Sequence, residues 1–594
     1  MSLKSSIATA LLLVATGANA VHVNTDGAGQ IALLPYYNVN NSFITNLTIT
    51  NTTDLYKAVK VRFHESNIGA DVLDFNVYLA PHDVWNATLR LNESSGLPNL
   101  ITEDESCTYP DKSEFKTGTD FVNSYDSLTN EDLTEGYVEI IEMGVIADGE
   151  RGQAADSGLY AEIDANGSAD GVLTSEDRSI VDGLQHDASG IPHDCTVVAD
   201  AWQAGDTDEQ INGFESGQLS STGVAQDSGG ANAPYADSMN AGLVEPTGGL
   251  KVYSIIINVA SGAAYVQQAT HIENYTTVAQ HYRPDDTVNS QLPSLASGNV
   301  QQANLLSSDG NSVKSTVAPL TEYDTGALFD ITPNPPIPMG SNPIPIALVL
   351  SADSVAAPYF SETSINGETD IVLSFPMRKH GIWNSGYLTN DLDGRVGADA
   401  CVGDLFDDID DGRAVALEAL NAIVNDYPHD GAGSYCNNAG YQYFKNNIEI
   451  ALYYYDYAQK DSSYDLEPPD FGVTPIGPWD YEDTLPRSVN VISVNRAVGD
   501  NRSVFGTPAD NVYNWQLDAD FTAGWVNITF DGSYDYGYSI QMDPLTELNG
   551  GIGVEFDTWT GVPVIGFSAM SADVGPAQLG EVVELYRSVN RDPE

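Results

Sequence analysis

Residues Phe43–Leu79 read FITNLTITNTTDLYKAVKVRFHESNIGADVLDFNVYL, with apolar side chains recurring at every second position. Phe43, Thr45, Leu47 and Ile49 share one face of a candidate strand. Val59, Val61 and Phe63 alternate with Lys60 and Arg62. Leu73, Phe75, Val77 and Leu79 alternate with Asp74, Asn76 and Tyr78. A period of two sends successive side chains to opposite faces of an extended chain. Asn51-Thr52-Thr53-Asp54 and Ala80-Pro81-His82-Asp83 supply turn chemistry around these runs. Short strands at this spacing predict an antiparallel β-sandwich of immunoglobulin-like type. A strand over Gly136–Met143 would close it, with Tyr137, Glu139 and Ile141 set against Val138 and Ile140.

The pattern returns further along the chain. Strands are expected at Lys251–Val259, Ile344–Ser351 and Ile371–Phe375, then at Val489–Val494, Trp525–Phe530 and Val562–Phe567. Ile448, Ile450 and Leu452 add another. Two stretches break the pattern. Residues 146–248 are rich in Gly, Ser, Asp and Ala, and residues 381–483 form a second excursion. In the latter, Ala414, Leu417, Leu420 and Val424 have helical spacing. Pro333–Pro345 reads as an extended loop. The fold class predicted is mainly β: multidomain antiparallel sandwiches with loop-rich acidic insertions and little helix. The expected divisions are 1–20, 21–145, 146–248, 249–380, 381–483 and 484–594.

The first division reads as a secretory signal peptide. Lys4 supplies positive charge, Ile7–Ala15 is an apolar run, and Ala18-Asn19-Ala20 is a small-x-small site before Val21. No Cys follows that run, and no later stretch reaches the roughly 18 apolar residues a spanning helix needs. The expectation is therefore a secreted or surface-displayed chain without membrane insertion, the periplasm being the other open compartment. Its 84 acidic and 23 basic residues give a formal charge of −61. That balance argues against nucleic acid, whose phosphates require Lys and Arg. It suits solvation in salt, where screening shortens self-repulsion to about 10 Å.

The four cysteines, Cys107, Cys195, Cys401 and Cys436, form no C-x-x-C pair. An even count in an exported chain predicts two disulfides. Three pairings are possible; Cys107–Cys195 and Cys401–Cys436 are favoured because each pair flanks a polar insertion. One motif carries ion chemistry. Asn166, Ser168 and Asp170 fall at the first, third and fifth positions of an EF-hand loop. Gly171 follows at the turn, the Val172 carbonyl and Thr174 continue the ligand set, and Asp177 ends it. Asn at the start and Asp at the end depart from the template. The cofactor expected here is a structural Ca²⁺. The acidic run Asp404, Asp407, Asp408, Asp410 and Asp411 fails the template at Ile409 and suits the start of the helix that follows it.

Catalytic motifs are scarce. There is no H-E-x-x-H and no G-x-S-x-G. Ser113 and Lys116 match a serine–lysine spacing without its companion motifs. His193-Asp194-Cys195 places a thiol near a base, but a disulfide suits Cys195 better. Tyr453-Tyr454-Tyr455-Asp456-Tyr457 reads as a strand with Tyr on both faces. Exposed, the same residues would suit a carbohydrate-binding face.

Four stretches resemble an uncharacterised family of secreted, β-rich proteins of Gram-negative bacteria. They are the quoted region extended to Leu33–Trp85, GYVEIIEMG at Gly136–Gly144, TDIVLSFPMRKH at Thr369–His380 and GVPVIGFSAM at Gly561–Met570. The resemblance implies a bacterial, exported, β-rich protein and carries no catalytic residues. The function expected is a non-enzymatic structural, adhesive or matrix component that contacts itself or a surface glycan. The alternative is an extracellular carbohydrate-active protein, either a glycan-binding module or a glycoside hydrolase.

Overall fold

The alternation of Phe43–Leu79 resolves into three strands divided between two sheets. Phe43–Asn51 lies in one sheet, and Tyr56–Glu65 and Asp71–Leu79 pair in the other. A computed structural model describes residues 20–125, 128–146, 180–196, 243–277, 279–285, 292–300, 302–306, 312–316, 344–378, 448–456, 484–495, 503–509, 511–517, 521–530, 562–575 and 577–588. Across these residues the fold is mainly β, built from multiple antiparallel sheets.

The larger sheet of the first sandwich runs His22–Val23, Thr270–Glu273, Ile31–Asn38, Glu135–Ile146, Tyr56–Glu65, Asp71–Leu79 and Cys107–Tyr109. Facing it are Ala264–Gln268, Leu250–Asn258, Phe43–Asn51, Val84–Asn92, Leu97–Ile101 and Thr119–Asp120. Leu47, Ile49, Val61, Phe63, Phe75, Val77, Trp85, Leu89, Val138 and Ile140 fill the space between the two sheets. Each fully buried large apolar side chain contributes about 1.5–3 kcal/mol. The predicted strand at Gly136–Met143 is therefore present, as the longer Glu135–Ile146, at the centre of its sheet.

A second pair of sheets follows. One runs Thr484–Leu485, Ile448–Asp456, Ala523–Phe530, Ser354–Phe360 and Tyr586–Ser588; the other runs Val512–Gln516, Val489–Asn495, Glu368–Ser374, Ile565–Val574 and Ala577–Glu584. Val489–Asn495 and Val512–Gln516 pair in parallel, an exception to the antiparallel rule. Tyr36, Phe43, Tyr137 and Tyr265 of the first sandwich pack against Val372, Val491, Phe505 and Phe567 of the second.

One expectation is corrected. Ile344–Ser351 was expected as a strand, but Ile344–Leu350 is a helix and Ser351–Ala352 a short strand after it. The segment IPIALVL is apolar on every side, so periodicity cannot separate a buried helix from a buried strand. Pro345 sits in the first turn, where its missing N–H costs nothing. Residues 249–380, one of the expected divisions, contribute strands to both sandwiches. Leu250–Asn258 pairs with Phe43–Asn51 along nine positions, from Leu250 opposite Asn51 to Asn258 opposite Phe43. Ser354–Phe360 and Glu368–Ser374 belong to the second sandwich. Alternation identifies a strand but not its partner, and the partner here lies some 200 residues away in the sequence.

Cys107 and Cys195 form a disulfide across 88 residues of sequence, with Cα atoms 5.2 Å apart. It anchors residues 180–196 to the Cys107–Tyr109 edge strand. Closing so long a loop stabilises chiefly by restricting the unfolded chain. The double variant Cys107→Ser/Cys195→Ser is expected to lose about 2–4 kcal/mol of unfolding free energy in a denaturant titration.

Candidate functional site

Because Val59, Val61 and Phe63 point into the sandwich, Lys60, Arg62 and His64 must point the other way. Register then decides their neighbours. On Asp71–Leu79, Asn76 lies opposite Lys60 and Asp74 opposite Arg62. On Glu135–Ile146, Glu139 lies opposite Arg62. The outer face of a sandwich sheet is ordinarily wet, but this one is covered. Lys60, Arg62, His64 and Asn76 are 0 % exposed and Glu139 is 1 % exposed. Residues 279–285 and 292–300 supply part of the cover. The Pro293 carbonyl accepts from Arg62 Nη1 at 3.0 Å, and the Tyr282 carbonyl accepts from Asn76 Nδ2 at 3.0 Å. His281 Nε2 meets the Tyr78 hydroxyl at 2.9 Å.

The result is a sealed ionic layer. Arg62 is its hub: Nε lies 2.8 Å from Asp71, Nη2 lies 3.6 Å from Asp74 and Nη1 lies 3.3 Å from Glu139. Glu139 also faces His64 Nε2 at 3.5 Å, and the His64 ring stacks on Tyr137 with centroids 4.6 Å apart. Burial pulls against the Arg62 charge, but Asp71, Glu139 and Asp74 outweigh it and hold its pKa above the ordinary value. Lys60 is less well served. Its Nζ lies 3.7 Å from Asp74, and burial pulls its pKa down to about 8. A second sealed pair, Lys57 with Glu142 at 2.6 Å, sits at the end of the sandwich interior and also meets Thr247.

Three buried acids lie where the sandwiches meet. Glu65 accepts backbone N–H groups from Asn67, Ile68 and Ala70. Glu135 accepts from Asn40 Nδ2 at 2.7 Å. Asp370 accepts from the Ser503 hydroxyl at 2.6 Å and from the Phe505 amide. Burial pushes Glu65 and Glu135 up to about 7 and Asp370 up to about 6.

A different surface lies on the outer face of the second sandwich. Tyr455 stacks on Trp525 with centroids 4.0 Å apart and planes 10° apart. The two residues are opposite each other in register; Tyr453 is opposite Asn527, and Ala356 lies between Asn527 and Tyr586. Trp525 is 41 % exposed and Tyr586 is 72 % exposed. None of these side chains is charged at neutral pH. Tyr454 points inward, edge-on to Trp515 and Phe521. The sequence-based reading of a strand with Tyr on both faces therefore describes this segment.

The remaining expected sites fall unevenly. The calcium loop, Asn166, Ser168, Asp170, Val172, Thr174 and Asp177, lies outside the described residues, as do Cys401, Cys436 and the Asp404–Asp411 run. Cys195 is in the disulfide with Cys107. Ser113 and Lys116 lie on the helix Lys112–Thr117, where Lys116 pairs with Glu105. Among the described residues, no group of three or more His, Cys, Asp or Glu side chains is arranged to hold a metal ion. In the sequence, Lys60, Arg62, Asp74 and Asn76 stand out only as the polar half of an alternation. The signal for the cluster is basic residues on one strand opposite acids on the next.

Replacing Arg62 with Met would leave Asp71, Asp74 and Glu139 buried without their shared cation. Such a change costs about 3–5 kcal/mol, to be read from denaturant midpoints at constant m-value. The interface acids make a second, signed test. A carboxyl whose folded pKa lies above its unfolded value binds extra protons when folded, so its contribution falls as pH rises between the two values. Glu135 spans the window from its ordinary 4.5 to about 7. His271 and His281, held neutral by burial at about 4 and about 3, act with the opposite sign. Glu135→Gln isolates one group: its stability relative to wild type should rise by about 3 kcal/mol between about pH 4 and pH 8.

No family model, no curated protein and no solved structure matches this chain.

Proposed function

We propose that this protein is an exported, non-enzymatic structural or adhesive component of a bacterial cell surface or extracellular matrix. The observation that carries this reading is the apolar seam between the sandwiches. Tyr36 meets Phe505 at 5.0 Å, Tyr265 meets Phe505 at 5.1 Å, and Phe43 and Phe567 pack on the same ring. Hinged modules that close on substrates meet through small polar interfaces, whereas a hydrophobic junction holds its partners in fixed orientation. The ionisable groups support the same reading, because the densest cluster of them braces strands beneath a cover. Export rests on the leader-like residues 1–20, and the acidic surface suits a saline medium. A Ca²⁺ ion at Asn166–Asp177 would order the first insertion. Cell fractionation and sedimentation test the proposal. The protein should be recovered with the surface or shed matrix and should self-associate when purified; a free monomer in the medium would overturn it.

A second reading is favoured by one specific feature, the Tyr455–Trp525 stack. Flat, uncharged aromatic surfaces beside Asn and Thr side chains present apolar area and hydrogen-bonding groups together, which suits pyranose rings. In this reading the adhesive contact is a surface polysaccharide. Trp525→Ala should then weaken retention on insoluble polysaccharide by at least tenfold, as loss of an aromatic anchor does. Unchanged retention, or no retention by the wild type, removes the glycan reading.

A further inference from the structure

Lys60 presents an unusual combination. Its ammonium is wholly buried, and Asp74, which pairs with it at 3.7 Å, stands beyond good hydrogen-bond reach. The side chain directly opposite on the neighbouring strand, pointing to the same face, is Asn76. Opposed residues have Cβ atoms about 5 Å apart, a gap a lysine stem spans. Asn76 is also fully buried, and its Oδ1 has no hydrogen-bond partner among the described residues. Its Nδ2 is held by the Tyr282 carbonyl, which fixes the amide plane. Asp74 lies two residues before Asn76 on the same strand and face, with Oδ2 3.7 Å from Lys60 Nζ. An amine, an amide and a carboxylate therefore share one sealed layer.

We propose that Lys60 and Asn76 become joined by an intramolecular amide bond between the Lys60 Nζ and the Asn76 Cγ, with Asp74 carrying the proton. The atoms balance without any added reagent. Asp74 takes a proton from the ammonium, and the neutral Nζ attacks Cγ. The Cγ–Nδ2 bond breaks as Nδ2 takes that proton from Asp74. The second proton lost from Nζ leaves with the released ammonia, so an ammonium ion departs and an amide N–H remains. The driving force is local. A buried, weakly paired ammonium and an unsatisfied amide oxygen each cost free energy in a dry layer. The reaction removes the charge and replaces two strained polar groups with one amide. Burial also favours the neutral amine that must attack, and it excludes water that would compete for Cγ. Arg62, Asp71 and Glu139 stay outside the step, and Arg62 holds Asp74 in place through the 3.6 Å contact with Nη2.

Mass spectrometry of the purified mature chain, denatured and with disulfides reduced, tests this directly, whatever surface or glycan the protein contacts. The expected mass is that of the sequence less one ammonia. Trypsin should spare the modified Lys60 and yield Ala58–Arg62 still joined to Phe63–Arg90 after cleavage between them. Lys60→Arg and Asn76→Ala should each return the full sequence mass. Asp74→Asn, confirmed as folded by circular dichroism, should also stay at full mass. Full mass and separate peptides in the wild type would overturn the proposal, and they can be read without any variant folding. Loss of one water mapped to Asp74 would overturn the choice of Asn76. Loss of ammonia in folded Asp74→Asn would overturn the role given to Asp74.

Discussion

A β-strand buried on both faces imposes a constraint that alternation alone does not meet. Tyr56–Glu65 packs Val59, Val61 and Phe63 into the sandwich and must therefore place Lys60, Arg62 and His64 in a second dry layer. Removing an ion from water costs several kcal/mol even after relaxation. The acids that compensate come from the strands on either side: Asp71 and Asp74 on one, Glu139 on the other. Register is fixed by this requirement as much as by the apolar core. A slip of one residue would send the charges into the apolar core and the valines into the ionic layer.

The same constraint ties distant segments together. The cover over the ionic layer includes residues 279–285 and 292–300, far along the chain from the strands it protects. Leu250–Asn258 must already lie beside Phe43–Asn51 for the chain to return there. The layer is sealed only where segments distant in sequence meet, in a topology rich in non-local pairs, which fold slowly.

Much of the strand content was legible in the sequence, because period-two alternation is a local signal. Phe43–Asn51, Glu135–Ile146, Val489–Asn495 and Ala523–Phe530 all follow from it. The Cys107–Cys195 bridge was legible from the even cysteine count, the expectation of export and the order along the chain. The helix at Ile344–Leu350 was not, because a segment buried on all sides has no periodicity to read. The ionic layer was hidden for a different reason. Lys60 and Arg62 satisfy the polar half of an alternation, which ordinarily means solvent. Only the register with Asn76, Asp74 and Glu139, and a cover from residues near 290, turns them into an interior cluster.

The charge balance acquires a structural meaning from this arrangement. The chain has 23 Lys and Arg residues against 84 acids. Lys57, Lys60, Arg62, Arg283 and Arg378 are all buried. Among the described residues Glu65, Asp132, Glu135, Glu139, Glu142, Asp353 and Asp370 are buried as well, so interior cations and acids largely offset each other and the surface keeps the strongly acidic balance of the chain. Two copies of such a surface repel at low ionic strength and approach freely only when the Debye length is short, about 8 Å or less. Contacts that survive at all salt concentrations must then use patches without charge. The Tyr455–Trp525 strip, with Tyr453, Asn527 and Tyr586, is such a patch on the second sandwich. Under the proposed surface role, an acidic exterior interrupted by this exposed aromatic strip would direct contacts toward that neutral face.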